Sequence, residues 1–138
     1  RVVVDRNNYL NGKENIFSSK AETLVFTTKN SKIKSKNSEI CIMSKNDLAD
    51  LNNIMSYLAE EKSINTLMVE SGSILLDALL TQDLIDELIL YQAPKLLGKE
   101  RNTFSKFGLK NQKLSTIGFT IRDMENLGED LKITLSPK

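Results

Sequence analysis

The sequence contains no histidine and no tryptophan, and Cys41 is its single cysteine. The lack of histidine excludes a Ser-His-Asp triad, a histidine metal ligand and an imidazole acid–base catalyst. A structural zinc site needs a cluster of cysteine and histidine ligands, so we expect no metal site. A single cysteine cannot form an intramolecular disulfide, which favours a reducing compartment, and we predict a cytoplasmic protein.

A charge excess of one sign and long apolar runs are also lacking. The 19 basic and 18 acidic residues leave a net charge of +1, and aromatic residues make up 6%. Nucleic-acid-binding domains typically carry a basic surface with aromatic stacking residues, so we expect no nucleic-acid partner. No apolar run has membrane-spanning length and no signal-peptide pattern is present, so we expect no membrane partner either. The 138 residues, 40% of them hydrophobic, predict one domain over residues 1–138.

The apolar pattern predicts an α/β fold that ends in a hairpin. Short apolar or β-branched runs predict strands, apolar residues at helical spacing predict helices, and period-two alternation around a glycine predicts a hairpin. Residues 99–112 are predicted to form a polar loop. The predicted strands are 1–5, 23–28, 39–43, 67–69 and 87–93; the helices are 47–62, capped by Ser44 or Asn46, and 73–82; the hairpin lies within 117–135.

The segment Glu70-Ser71-Gly72-Ser73 is predicted to join a strand to a helix. The first N–H groups of a helix, together with the positive end of its dipole, form an anion site. Gly72 lets a phosphate approach the backbone closely, because it has no Cβ. We interpret the anion as the phosphate of a nucleotide cofactor, held by Gly72, Ser73 and the N–H groups of Ile74 and Leu75. The alternative is a plain turn in which Ser71 or Ser73 caps the helix.

Glu70 ends the strand predicted at 67–69. Ligands of open α/β sheets bind at the carboxyl ends of the strands, and a carboxylate there can accept hydrogen bonds from sugar hydroxyls. The alternative is a solvated carboxylate that the helix dipole stabilises. A carboxylate beside an anion site must point away from the phosphate, so we assign Glu70 to the substrate.

Three stretches of residues 66–98 carry a resemblance to a known family. They are Val69-Glu70-Ser71-Gly72 with Leu75, Leu84-Ile85-Asp86-Glu87-Leu88, and Ala93-Pro94-Lys95-Leu96-Leu97-Gly98. Together they resemble the reductase domain of the bifunctional riboflavin-biosynthesis deaminase/reductase, and residues 1–6 resemble a strand of that domain. The resemblance implies a dihydrofolate-reductase-like, three-layer α/β/α fold with a mostly parallel sheet and an antiparallel C-terminal hairpin.

The resemblance also implies an activity and roles for residues. In the family, NADPH delivers hydride to C1 of a sugar and reduces the ribosyl group of 5-amino-6-(5-phosphoribosylamino)uracil to the ribityl form. By resemblance, residues 72–78 line the dinucleotide site, Glu70 contacts the ribosyl or ribityl part, and Arg6 pairs with the 2′-phosphate of NADPH. No residue resembles an obligatory catalytic acid. A surface arginine is the alternative for Arg6, and Thr27 and Thr28 are candidates for the adenosine side.

The sequence departs from the family pattern at three places. Ser71 replaces a glycine or alanine, and Asp83 replaces a glycine after the helix, where it must adopt the left-handed conformation. A segment with Asp-Gly and Gly-Thr motifs that precedes the first strand in the family is missing. We therefore interpret the chain as the later part of a reductase domain from a longer, multifunctional enzyme, and expect weak or no activity by itself.

Two other functions remain open. One is a different dihydrofolate-reductase-like enzyme that reduces a pterin. The other is a non-catalytic dimerising module, because the apolar run 74–80 predicts a helix that is buried on most sides, and a homodimer contact would bury it. The zinc signature of the family's deaminase half is absent, so deamination is not expected.

Overall fold

The computed structural model describes residues 1–18, 20–29, 31–95 and 117–138. Contacts divide the chain into two compact units, Arg1–Leu67 and Met68–Lys138, and each unit has its own sheet. The loop predicted at 99–112 and residues 96–98 of the family motif lie outside the described residues. One domain over residues 1–138 stays a prediction.

The first unit contains a parallel sheet of three strands. β1 (Val2–Asp5), β2 (Thr23–Thr27) and β3 (Ser38–Ile42) lie in the order β1-β2-β3. Every residue of the central strand β2 is buried. A strand covered on both faces needs apolar side chains on both, which explains its continuous apolar run. The three strands predicted in this unit are confirmed.

Helix and loop residues cover the two faces of β2. On one face, Val25 packs with Phe17 and Ile33. On the other, α1 (Leu51–Glu60) buries Leu51, Ile54 and Leu58, and the Tyr57 ring meets Phe26 edge to face at 5.4 Å. Full burial of side chains such as Val25 and Phe26 contributes about 1.5–3 kcal/mol each. These contacts form the core of the first unit.

The helix α1 begins four residues later than residue 47, where the sequence predicted it. Asp50 is its N-cap, and its carboxylate accepts the N–H of Asn52 at 3.1 Å. Ser44 instead caps a separate turn: its hydroxyl accepts the Asp47 N–H at 3.1 Å, and the Asp47 carboxylate accepts the Ser44 N–H at 3.3 Å. The predicted start was wrong because this reciprocal capping box closes a turn of its own before the helix.

The second unit contains one helix and an antiparallel sheet. α2 (Ser73–Thr81) precedes β4 (Leu88–Gln92), and the hairpin β5 (Phe119–Leu127) and β6 (Asp130–Pro137) completes the sheet in the order β4-β6-β5. Gly128 opens the two-residue hairpin turn with a φ of 65°, which is typical of a type II′ turn. The predicted hairpin and the strand before it are confirmed.

Two details of the predicted architecture differ from the structure. Residues 67–69 are not a strand: Leu67, Met68 and Val69 are 37%, 82% and 42% exposed, and none has a ladder partner among the described residues. Leu79 is the one buried residue of α2, and Ile74 is 78% exposed, so the helix is not covered on most sides.

Neither helix in the described ranges has the length and apolar content that a membrane span requires.

Candidate functional site

The start of α2 leaves its first backbone donors open. Gly72 is the N-cap, and its carbonyl accepts the Leu76 N–H at 3.2 Å. No side chain caps the helix, in contrast to the alternative in which a serine does so. The N–H groups of Ser73, Ile74 and Leu75 have no acceptor among the described residues. These are the donors that a helix leaves unpaired, and they lie at the positive end of its dipole.

Gly72 lies beside open space. A Cβ placed on it would meet no atom of the described residues within 4 Å. Its φ of −77° and ψ of 173° are extended values that any residue adopts, so the backbone does not require glycine. The first turn of α2 contains no acidic side chain that would neutralise the helix terminus. The space directly beside Gly72 is therefore free of described atoms, as close approach of an anion to this residue requires.

Glu70 lies two residues before this N-cap. Its side chain is exposed, as is that of Ser71. The expectation that Glu70 ends a strand was wrong, because the residues before it form none. An exposed carboxylate in this segment keeps its full capacity to accept hydrogen bonds from hydroxyl groups.

Arg6 belongs to the first unit and follows β1. Its side chain is exposed, and its backbone carbonyl accepts the Thr28 hydroxyl at 3.3 Å. The structure thus places five of the predicted site residues on one segment of the second unit and Arg6 on a turn of the first. The five are Glu70, Gly72, Ser73, Ile74 and Leu75.

Asp5, which was not among the residues predicted for the site, holds the turn that contains Arg6. Asp5 is 7% exposed, and its two carboxylate oxygens accept the N–H groups of Tyr9 and Leu10, each at 2.9 Å. A signal was present: an aspartate two residues before the turn residues Asn7-Asn8 is typical of a side chain that bonds the following backbone.

A second polar cluster joins β3 to the end of α1. Lys62 Nζ lies 2.7 Å from both carboxylate oxygens of Glu39, and the Tyr57 hydroxyl donates to Glu39 at 3.4 Å. The hydrogen bond from Lys62 lowers the pKa of Glu39, and the same contact raises the pKa of Lys62. Burial raises the pKa of the Cys41 thiol, which disfavours the reactive thiolate. This cluster is an exposed ion pair beside a half-buried thiol.

Residues 1–133 match the family model described as the RibD C-terminal domain. The chain belongs to this family. It is 31% identical over 140 residues to the 5-amino-6-(5-phosphoribosylamino)uracil reductase of Buchnera aphidicola subsp. Acyrthosiphon pisum, an alignment that covers 100% of this chain and 67% of the relative. It is 35% identical over 89 residues to the riboflavin biosynthesis protein RibD of Haemophilus influenzae, covering 62% of this chain and 24% of that protein.

The fold is that of a RibD reductase domain. The structure of Acinetobacter baumannii RibD, form 2, superposes with a TM-score of 0.83 at 24% identity, covering 100% of this chain and 37% of that one. This likeness confirms the predicted dihydrofolate-reductase-like α/β fold. The chain spans between a quarter and two thirds of the length of these three relatives.

Proposed function

We propose that this RibD C-terminal domain serves an NADPH-dependent reductase of riboflavin biosynthesis. The reaction would reduce the ribosyl group of 5-amino-6-(5-phosphoribosylamino)uracil to the ribityl form. The name of the Buchnera relative and the match over residues 1–133 support the reaction. The observation that carries the cofactor assignment is the start of α2, which no side chain caps and which has open space beside Gly72.

In this proposal the pyrophosphate of the cofactor binds at the start of α2. Gly72 and Ser73 allow close approach, and the N–H groups of Ser73, Ile74 and Leu75 donate to the phosphate oxygens. Such hydrogen bonds to an anion are stronger than neutral ones, and the helix dipole adds to them. The donors are fixed by the helix before the ligand arrives, so their ordering adds no cost to binding.

Glu70 and Arg6 have separate roles in the proposal. Glu70 accepts hydrogen bonds from hydroxyl groups of the ribosyl or ribityl part and thereby orients the sugar. The Arg6 guanidinium binds the 2′-phosphate that distinguishes NADPH from NADH, a contact for which its planar, always charged donor pair is suited. When bound, the nicotinamide supplies the hydride, and the residues of this chain bind and orient the reactants.

The cofactor assignment is tested by titrating NADPH into the ¹⁵N-labelled protein. We expect the amide signals of Ser73, Ile74 and Leu75 to shift together, and Gly72→Val to weaken binding about tenfold because its side chain fills the space in front of the amides. The extended backbone at Gly72 accepts valine, so the variant keeps its fold. Ser71→Ala, one residue away, is the matched control and retains the affinity. Unshifted amides at saturating NADPH would contradict the assignment.

The reaction is tested by following NADPH consumption with 5-amino-6-(5-phosphoribosylamino)uracil and, in parallel, with dihydrofolate. We expect at most weak reduction of the uracil compound by this chain alone, and none of the pterin. Glu70→Gln should raise KM for the uracil compound more than it lowers kcat, since a neutral amide still accepts one hydrogen bond. Preference for the pterin would favour the other reductase class and contradict the proposal.

We also propose that the protein forms a homodimer through α2. The supporting observation is Ile74, which is 78% exposed at the start of an apolar helix in which Leu79 is the one buried residue. Ile74→Asp places a carboxylate in the first helical turn, where the dipole favours it, so the variant should fold. Light scattering after size exclusion should then report a monomer. Ser71→Asp adds the same charge outside the helix and should remain dimeric; a monomeric wild-type protein would refute the dimer.

A further inference from the structure

Several hydrogen bonds hold the turn after β1. The Asn8 N–H donates to the Asp5 carbonyl at 3.1 Å and closes the turn. The two Asp5 carboxylate oxygens then accept one N–H each, from Tyr9 to Oδ1 and from Leu10 to Oδ2. Asp5 itself is 7% exposed and paired with Thr27 in the parallel ladder. The backbone of Asp5 therefore fixes the entry of the turn to the sheet, and its buried carboxylate holds the exit.

A second contact holds the turn from the neighbouring strand. The hydroxyl of Thr28, which follows β2, donates to the carbonyl of Arg6 at 3.3 Å. The backbone of Arg6 is thus attached to the sheet on both sides, while its side chain remains exposed. The structure immobilises the position from which the guanidinium extends, and leaves the guanidinium itself accessible.

We infer that Asp5 and Thr28 are positioning residues that hold Arg6 for recognition of the cofactor's 2′-phosphate. This inference rests on the function proposed above for Arg6. A bidentate contact between a guanidinium and a phosphate depends strongly on geometry, and arginine loses side-chain entropy when it is fixed. A rigid backbone at Arg6 removes the part of the ordering cost that would otherwise oppose binding.

The two accepting oxygens of the Asp5 carboxylate are essential to this arrangement. A carboxylate accepts hydrogen bonds at both oxygens, whereas an asparagine has one oxygen and an NH₂ group that only donates. Asp5→Asn would therefore place a donor against either the Tyr9 or the Leu10 N–H and free one end of the turn. The substitution preserves the volume of the side chain and leaves no cavity. A change in cofactor affinity would therefore result from the lost hydrogen-bond acceptor.

The test compares the affinities of the whole chain for NADPH and NADH, measured by calorimetry, because these cofactors differ only in the 2′-phosphate. Arg6→Met should bring the ratio of the two affinities close to one. Asp5→Asn should lower the ratio about tenfold and Thr28→Val about threefold, chiefly through weaker NADPH binding. Thr28→Ser retains the hydroxyl and should retain the ratio.

Glu14→Gln is the matched control. Glu14 also accepts backbone N–H groups in the first unit, from Asn11 at 3.2 Å and Gly12 at 2.9 Å, but its loop does not contain Arg6. If the role of Asp5 is purely structural, Asp5→Asn should weaken the binding of NADPH and of NADH by the same factor. Glu14→Gln would have the same equal effect if it lowered the folded population. The affinity ratio separates this effect from positioning, and thermal melts identify any variant that fails to fold.

The outcomes distinguish this inference from the function on which it rests. If Arg6→Met abolishes the preference for NADPH while Asp5→Asn and Thr28→Val leave it intact, the positioning role is refuted and the role of Arg6 stands. If Arg6→Met keeps the preference, or the wild type shows none, both roles are refuted, and the reductase reaction is judged by the turnover assay alone. If Asp5→Asn does not fold, Thr28→Val and Thr28→Ser decide.

Discussion

The contact between Glu39 and Lys62 shows what a single exposed ion pair contributes. The ammonium lies 2.7 Å from both carboxylate oxygens, and the two side chains remain 56% and 29% exposed. It also lies 5.9 Å from the centre of the Tyr57 ring. Solvent screens an exposed pair, so it adds little to stability, but the hydrogen bond from Lys62 lowers the pKa of Glu39.

The pH dependence of this pair follows from the direction of the shift. A carboxyl group whose pKa is lowered in the folded state stabilises the fold above its unfolded pKa, and this contribution is lost as the pH falls through the folded pKa. We expect Lys62→Met to raise the pKa of Glu39 toward the ordinary glutamate value and to remove this part of the acid sensitivity. A carboxyl NMR titration measures the change. Lys132→Met, which removes the partner of Glu125, should leave the Glu39 titration unchanged.

The residues of the candidate site differ in how far the sequence revealed them. Gly72 and Ser73, which precede an apolar run, predicted a helix start with two alternatives, an anion site or a serine cap, and the structure shows that no side chain caps it. Asp5 was not recognised, although its neighbours Asn7-Asn8 indicated a turn. Its role depends on which backbone donors fold back onto its carboxylate, and that is decided by the path of the chain through residues 6–10.

At the level of elements, the end of α2 shows how one residue terminates a helix. Gln82 is the C-cap, and Asp83 follows in the left-handed conformation with a φ of 56°. The Leu84 N–H donates to the Leu79 carbonyl at 3.0 Å and the Asp83 N–H to that of Leu80 at 3.4 Å. These two bonds form a Schellman motif. The expected left-handed conformation of Asp83 is confirmed, in a position where glycine is ordinarily preferred.

Substitution of Asp83 should therefore change stability in a predictable direction. Asp83→Gly removes the steric cost of the left-handed conformation and should raise the free energy of unfolding by about 0.5–1 kcal/mol. Asp83→Ala keeps a Cβ and loses the local hydrogen-bonding capacity of aspartate, so it should lower that free energy by a similar amount. Urea denaturation followed by circular dichroism measures both. An alanine variant as stable as the glycine variant would show that the conformation carries no cost here.

The strands illustrate why some elements were predictable and one was not. The runs at β1, β2 and β3 are apolar because they lie in a covered parallel sheet, so composition and structure agree. The run 67–69 has the same composition, but no described strand lies beside it. A strand requires a hydrogen-bonded neighbour, and a local apolar run does not specify one.

At the level of the whole molecule, the chain consists of two compact units with distinct sheets. The segment 63–72 contains neither helix nor strand, and the boundary between Leu67 and Met68 lies within it. Met68 is 82% exposed, whereas Val25 and Phe26 of β2 are fully buried. Local opening requires the least free energy where few buried contacts and hydrogen bonds must break.

Limited proteolysis with thermolysin, which cleaves before large apolar residues, tests this distribution of stability. We expect cleavage before Leu67, Met68 or Val69 under native conditions, well before any cleavage at Val25 or Phe26. Both sets are apolar, so β2 serves as the internal control for sequence preference. Mass spectrometry identifies the sites. Earlier cleavage within β2 would contradict the burial that the structure assigns to that strand.

The amino-acid sequence by itself determined the α/β class, the hairpin around Gly128 and the helix that follows Gly72. These features follow from local rules: side-chain periodicity, the conformational freedom of glycine and the unpaired donors at a helix end. Only the tertiary structure decided that residues 67–69 lack a strand partner, that Ile74 remains exposed and that Asp5 holds the turn of Arg6. The reason is physical: burial and hydrogen-bond pairing depend on which distant segments meet, and a short window of sequence does not contain that information.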